Sequence, residues 1–481
     1  MINIIVIILL CAIPILLLIC NIYMMIYFQN PEEKGVSWIW RIIVIIAFEF
    51  LEMSVFLIPL DVLNAGPPEP IIPMQIFWYI VYYGMIVFAA IILPFGLCWY
   101  NQEEDTSCVK KIVYSFIFAL IFLVVAAVFC VIFYIIFGVA EVPVNYQSGD
   151  LDLTSFNLDN IKAANVRPEN DDEESTISFR ISPVLFIISG ISTIGYVLVL
   201  FFGGLGFAVL PIDLIFDFIN RPEPLKSAQI KEYNKLIGER ALAMIDEGKE
   251  IKQLTGRKYR KRYSQFREEV YILDRGLKVL NKRRNLKGFL WGYVAIILGI
   301  IATLLTLLWM VQLVLWTILK IFPFVDWIMQ WMTGPIAFFG AIIYGIFAGY
   351  LLLCSFKAVV YVGFRFALGF VFYPFEVSNT YMNAFCFNGI LLVLIAFGVN
   401  QFSSETFSNF LTGSSFHSFM GEAITQLRYV KYIYKYAPFV MPILCVLMLV
   451  FMLLSKLLCK NKKEKDALDI LLEYENIKPT N

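Results

Sequence analysis

Glu49 and Glu52 lie three residues apart in the middle of an otherwise apolar run, Trp38 to Leu60. On a helix that spacing places both carboxylates on one face. A carboxylate at the centre of a bilayer costs about 2.5–3.5 kcal/mol on insertion scales, so each must be protonated, paired or hydrated. Two kinds of chemistry fit: a proton- or cation-coupled pathway, or interhelical hydrogen bonds to groups such as Asn388 or Gln312. Glu49, Glu52 and Asn388 are therefore the candidate intramembrane polar site. A second cluster is cationic. Arg257, Lys258, Arg260, Lys261 and Arg262 surround Tyr259 and suit anionic lipid or an acidic partner. Catalytic chemistry has little to stand on. His417 is the single histidine, none of the nine cysteines forms a Cys-x-x-Cys pair, and no Gly-x-Ser-x-Gly or Walker sequence occurs. The expectation is a protein without enzyme activity, cofactor or metal.

The elements that must position these residues are membrane spans. Of 481 residues, 60% are hydrophobic and 16% charged, with a mean hydropathy of +0.75. Soluble domains carry roughly 25% charge, so this chain cannot clothe several soluble domains. Its apolar residues fall in runs long enough to cross a bilayer, which takes about 20 residues. The runs are Ile2–Phe28, Trp38–Leu60, Met74–Trp99, Ile112–Phe137, Pro183–Phe218, Gly288–Ile318, Pro335–Val362, Ala384–Val399 and Ala437–Leu458. Gly363–Asn383, with Arg365, Pro374 and Glu376, reads as interfacial or buried helix instead. The fold class is all-α, a polytopic bundle of about nine spans. Gly203-Gly204-Leu205-Gly206 lacks the Lys-Ser/Thr of a phosphate loop. Within a span it reads as close helix packing near a kink at Pro211, or as a hinge.

Lys and Arg beside spans stay in the cytosol. The rule puts the N-terminus outside and the C-terminus in the cytosol. Only Gln401–Tyr436 dissents, with Arg428, Lys431 and Lys435 on the outer side. The chain then divides into spans one to five (1–219, with an acidic outside loop 138–182), a cytosolic segment 220–287, spans six to nine (288–459) and a basic tail 460–481. In the cytosolic segment Tyr233, Ile237, Met244 and Ile251 step at helical spacing. After Thr255-Gly256, Tyr263, Phe266, Val270, Leu273, Leu277 and Leu280 step by three and four. That pattern predicts an antiparallel coiled-coil hairpin with the basic cluster at its tip. About half of the 38 Lys and Arg lie there. It either merely joins spans five and six or docks a cytosolic adaptor; its topology disfavours nucleic acid.

Several motifs, in order, resemble one family. They are Ile58-Pro-Leu-Asp61, Trp99-Tyr-Asn101, Gly203-Gly-Leu-Gly206, Arg221-Pro222, Gly256–Arg262, Tyr373-Pro374, Thr380–Asn383, Phe387-Asn388 and Tyr429–Tyr436. Together they resemble the limb-region-like (LMBR-like) membrane proteins, in their plant and protist form. That family includes the lipocalin-interacting membrane receptor and the lysosomal cobalamin-export protein. The resemblance implies nine spans, a long cytosolic coiled loop, and residence in the plasma membrane or an endosomal or lysosomal membrane. It supplies no catalytic residues. Two functions stay open: a receptor or trafficking scaffold, with a small-molecule or protein ligand on the outside loops, or a small-molecule transporter or its partner. A scaffold can have a dry core, whereas a transporter needs a polar path across the bundle.

Overall fold

A computed structural model describes residues 2–30, 33, 38–65, 72–102, 106–144, 175–219, 221, 227–251, scattered positions from 262 to 280, 286–333, 338–365, 371–417 and 427–459. Among them, nine helices are long and apolar enough to cross a membrane. The elements are α1 (Ile2–Phe28), α2 (Trp38–Ala65), α3 (Met74–Tyr100), α4 (Cys108–Phe137), β1 (Val139–Val144), β2 (Ser175–Arg180), α5 (Pro183–Ile219) and α6 (Ser227–Ile251). Next come α7 (Leu286–Gln312, continued by a π-helical turn Leu313–Ile318), α8 (Phe324–Thr333), α9 (Phe338–Val362), β3 (Phe364–Arg365) and β4 (Val371–Phe372). The last are α10 (Met382–Thr406), α11 (Val430–Tyr436) and α12 (Val440–Cys459).

Contacts divide the chain into two units, residues 1–207 with 307–445 and residues 208–306 with 446–481. In the first, α10 is the core helix. It packs on α2, α9 and the last turns of α3, and 78% of its most apolar stretch is buried. Helix α4 is the opposite case: it buries only Ser115 and Ala119 and is apolar all round, as a helix facing lipid must be. Its ends hold it. Gln102 Nε2 donates to Ser115 Oγ at 3.0 Å, and Tyr134 Oη donates to the Ile181 carbonyl at 2.9 Å. Within α3 a π-helical turn, Phe88–Ile92, precedes Pro94. Proline lacks an N–H and crowds the carbonyl four residues back, and a widened turn relieves both.

The small residues of α5 are there because backbones meet. A Cβ on Gly206 would lie 2.0 Å from the Cys354 carbonyl oxygen of α9, and one on Gly204 2.9 Å from that of Met441. The packing reading of this glycine run is therefore the geometry seen.

The largest departures from the sequence reading are three. The eighth span continues past Val399 to Thr406, carrying Asn400, Gln401, Ser403, Ser404 and Glu405 into the bundle. The last span starts at Val430, seven residues early, with a 3-10 turn at Ala437–Phe439. The segment after α9 is not helical: Phe364 pairs with Phe372 and Arg365 with Val371 in an antiparallel ladder. Gly363, Tyr373 and Ser378 adopt positive φ and Pro374 has no N–H to donate, so a helix cannot run through.

In the second unit Gly299 lets α7 pack on α5, since a Cβ there would lie 3.0 Å from Ile215 Cγ1. Helix α6 buries Ile237, which clusters with Leu280 beside Tyr233, Leu236 and Leu273. Arg240 pairs with Glu269, and Gly248 faces the Phe266 ring. Val270 and Leu277, expected in the seam, are both 40% exposed, so an unbroken a/d seam is not what these positions form.

Candidate functional site

The two glutamates meet a partner that composition did not single out. Asn21, an amide in the second half of α1, is 1% exposed. Its Nδ2 donates to Glu52 Oε2 at 2.9 Å and to Glu49 Oε2 at 3.4 Å. An amide nitrogen carries two hydrogens, so one side chain serves both carboxyls. The result is a clasp between α1 and α2. Asn388 is not part of it. Its Nδ2 donates to the carbonyls of Tyr373 at 2.9 Å and Ala384 at 2.8 Å. Gln312 is also elsewhere: it donates to the Thr406 carbonyl at 3.0 Å and accepts from Val325 N at 2.7 Å, joining the ends of α7, α8 and α10.

Asn388 belongs to a second polar lock, which unites motifs far apart in the sequence. Asn101 Nδ2 donates to Tyr373 Oη at 2.7 Å, and Asn383 Nδ2 donates to Asn101 Oδ1 at 3.1 Å. Thr380 N donates to the Phe28 carbonyl and Asn30 N to the Thr380 carbonyl, each at 3.0 Å. Met382 N donates to Glu33 Oε2 at 3.0 Å. The end of α1, the end of α3 and the start of α10 are thus tied by the segment after β4.

A third system lies along the final turns of α10. Asn400 Nδ2 donates to Ser54 Oγ at 3.0 Å and Tyr82 Oη at 3.3 Å, and Tyr344 Oη bonds Ser403 Oγ at 3.1 Å. Tyr196 Oη donates to Glu405 Oε2 at 2.8 Å. Asp61 Oδ2 accepts from Trp78 Nε1 at 3.1 Å and from Phe416 N at 2.7 Å. Asp326, wholly buried on α8 outside the spans, has its carboxyl pushed up to about 7 by loss of solvent. Ending the eighth span at Val399 hid this system. The signal was present as amides within apolar helices, Asn21 in α1 and Asn400 in α10, since apolar spans rarely carry unpaired amides.

Two of the three dissenting basic residues before α12, Arg428 and Lys431, are paired. Glu141 of β1 accepts from Arg428 Nε at 2.6 Å and Lys431 Nζ at 2.9 Å, while Arg428 N donates to the Val139 carbonyl at 2.9 Å. The bonds from Lys431 and Arg428 hold the Glu141 carboxyl below its ordinary value of 4.5. A depressed acid stabilises the fold above its unfolded value, and that contribution is lost as pH falls through the folded one. Glu141→Gln is expected to speed amide exchange at Arg428 modestly, exposed pairs being screened. The wild type should approach the variant as pH drops below 4.5, and the variant should show no such pH step. Identical exchange in the two proteins at neutral pH would remove the ion pair from this account.

Of the basic cluster, Arg257, Lys258, Arg260 and Lys261 lie outside the described residues; Arg262 is helical, exposed and 3.4 Å from Glu247.

A family model described as LMBR1-like membrane protein matches residues 5–275. A LIMR family protein of Dictyostelium discoideum is 32% identical, over 93% of this chain and 97% of the relative. One of Oryza sativa subsp. japonica is 24% identical over 91% and 93%, and one of Arabidopsis thaliana 24% identical over 88% and 90%. No solved structure matches the chain.

Proposed function

Since this chain belongs to the LMBR1-like membrane protein family, we propose that it is a non-enzymatic receptor or trafficking scaffold. One observation carries the choice: Asn21 closes the Glu49/Glu52 pair from inside the bundle. The two glutamates then serve assembly, and no path is needed through them. The outside loops take the ligand, and residues 220–287 recruit a cytosolic adaptor. The N-terminus is outside or luminal, in the plasma membrane or an endosomal or lysosomal membrane. The orientation draws support from the Lys and Arg distribution, because the exceptional Arg428 and Lys431 are paired with Glu141.

The second reading is a small-molecule transporter or its partner, of the cobalamin-export kind. It is favoured by the polar turns of α10, where Asn400, Ser403 and Glu405 bring hydrogen-bonding groups into the bundle.

The test compares the wild type with the double variant Glu49→Gln, Glu52→Gln. Glutamine keeps acceptors for Asn21 without charge, so the double variant is expected to fold and to recruit partners normally. In liposomes, proton and cation flux should be equal in the two proteins. Flux that requires the glutamates would replace the scaffold reading with the transport one.

A further inference from the structure

Where α5 crosses α10, their backbones touch. A Cβ on Gly195 would lie 2.1 Å from the Leu394 carbonyl oxygen, and one on Gly398 would lie 2.1 Å from that of Gly195. Such contact brings the side chains next along each helix against the other helix. Three residues towards the Pro183 end of α5 is Ser192; three towards the Thr406 end of α10 is Gln401. They are 0% and 1% exposed. Yet Ser192 Oγ, Gln401 Oε1 and Gln401 Nε2 have no hydrogen-bond partner. Buried polar atoms are almost always paired, and those left over call for an occupant such as a water or an ion.

Beside them is a carboxylate. Glu405 lies four residues after Gln401, and Tyr196 four after Ser192, so each pair shares a helix face. The Tyr196 side chain leans back towards the Pro183 end of α5 and donates to Glu405 Oε2. Tyr196 and Glu405 thus meet by that bond, and Ser192 and Gln401, with their three unpartnered atoms, lie one helical turn from them on the same two helices.

We propose that Ser192, Tyr196, Gln401 and Glu405 hold a monovalent cation of sodium's size. Hard cations take oxygen ligands. Glu405 supplies the charge, while the Gln401 carbonyl and the Ser192 and Tyr196 hydroxyls supply neutral oxygens. One carboxylate balances one positive charge; a divalent ion would leave an unpaired charge in a desolvated site. Among the described residues no three His, Cys, Asp or Glu side chains group as metal ligands. The other groups facing Glu405 are few. Lys320, after the π turn of α7, bears on it electrostatically, with its ammonium 5.6 Å from the Trp316 ring centre. Tyr434 of α11 approaches from a third element, its hydroxyl 3.1 Å from Thr193 Oγ1. The site is independent of the scaffold reading, since occupancy requires no transport.

The test is the unfolding midpoint of the purified full-length protein in sodium chloride against N-methylglucamine chloride at equal ionic strength. Sodium should raise the midpoint saturably, by about 3 °C. Glu405→Gln should abolish the response. Because that change also alters the Tyr196 bond, Ser192→Ala is the second variant. It deletes a buried hydroxyl and should need several-fold more sodium for the same rise. Equal midpoints in the two salts for the wild type would overturn the site and leave an internal water in its place. A response kept intact in both variants, or one elicited by calcium and not by sodium, would overturn it as well.

Discussion

Gly398→Val is expected to lower the unfolding midpoint of the protein sharply. A Cβ at that position would sit 2.2 Å from the Gly195 carbonyl carbon and 2.6 Å from Tyr196 N. Neither is the movable end of a side chain. To admit even one methyl group, α5 and α10 must move apart, and a valine requires more. Overpacking a close-packed interior costs typically 1–3 kcal/mol when side chains can shift. Here backbone must shift, so about 3 kcal/mol or more is expected, a large share of a stability that is commonly only 5–15 kcal/mol. Gly190→Ala supplies the control. It lies on the same helix, five residues before Gly195, with nothing within 4 Å of its added Cβ. Alanine is the better helix former by about 1 kcal/mol in soluble helices, so this variant should fold at least as well as the wild type. Thermal unfolding of both variants in detergent measures the contrast. If Gly398→Val melts with Gly190→Ala, the helices are not in backbone contact at this crossing.

The span pattern was legible because hydrophobic run length is a direct readout of bilayer thickness. What was hidden follows from the same logic. Hydropathy ended the eighth span at Val399 because Asn400, Gln401, Ser403, Ser404 and Glu405 look like the beginning of a loop. The helix continues through them, and Asn400, Ser403 and Glu405 find partners on α2, α3, α5 and α9. Those partners are remote in sequence, and no local pattern announces them. Glu49 and Glu52 were found by type and spacing, but Asn21 was not. A single amide in an apolar run carries no periodicity, and its role appears only when α1 lies beside α2.

The motifs behave differently. Asn101, Tyr373, Asn383 and Asn388 stood out only as scattered family resemblances, yet they form one hydrogen-bonded lock at the end of α3. Gly206 likewise marks the place where α5 touches α9. Arg428 and Lys431 stood out against the positive-inside count, and both are paired across to Glu141 of β1, a contact that no count along the sequence detects.

Asp61 lies in the stretch Ile58-Pro-Leu-Asp61 and is fully buried. Its Oδ2 is the acceptor for two buried donors, the Trp78 indole N–H and the Phe416 backbone N–H. The Trp78 and Phe416 rings meet tilted, 4.7 Å between centroids, so the carboxyl fixes α2, α3 and the chain after α10 at one point. Asp61→Ala would leave both donors without a partner and a void in their place. Each unsatisfied buried donor costs about 1–3 kcal/mol, so roughly 3–4 kcal/mol is expected for the two together. Asp61→Asn keeps a carbonyl oxygen where Oδ2 was and should lose far less, about 1 kcal/mol. The ordering of the two variants is the informative quantity. Unfolding midpoints should rank wild type above Asn and Asn well above Ala, and the alanine protein alone should show red-shifted tryptophan emission as Trp78 loosens. Equal losses in both variants would mean that the charge, not the acceptor geometry, holds this corner. An alanine variant as stable as the wild type would mean that water replaces the carboxyl, and the three segments are then joined by packing alone.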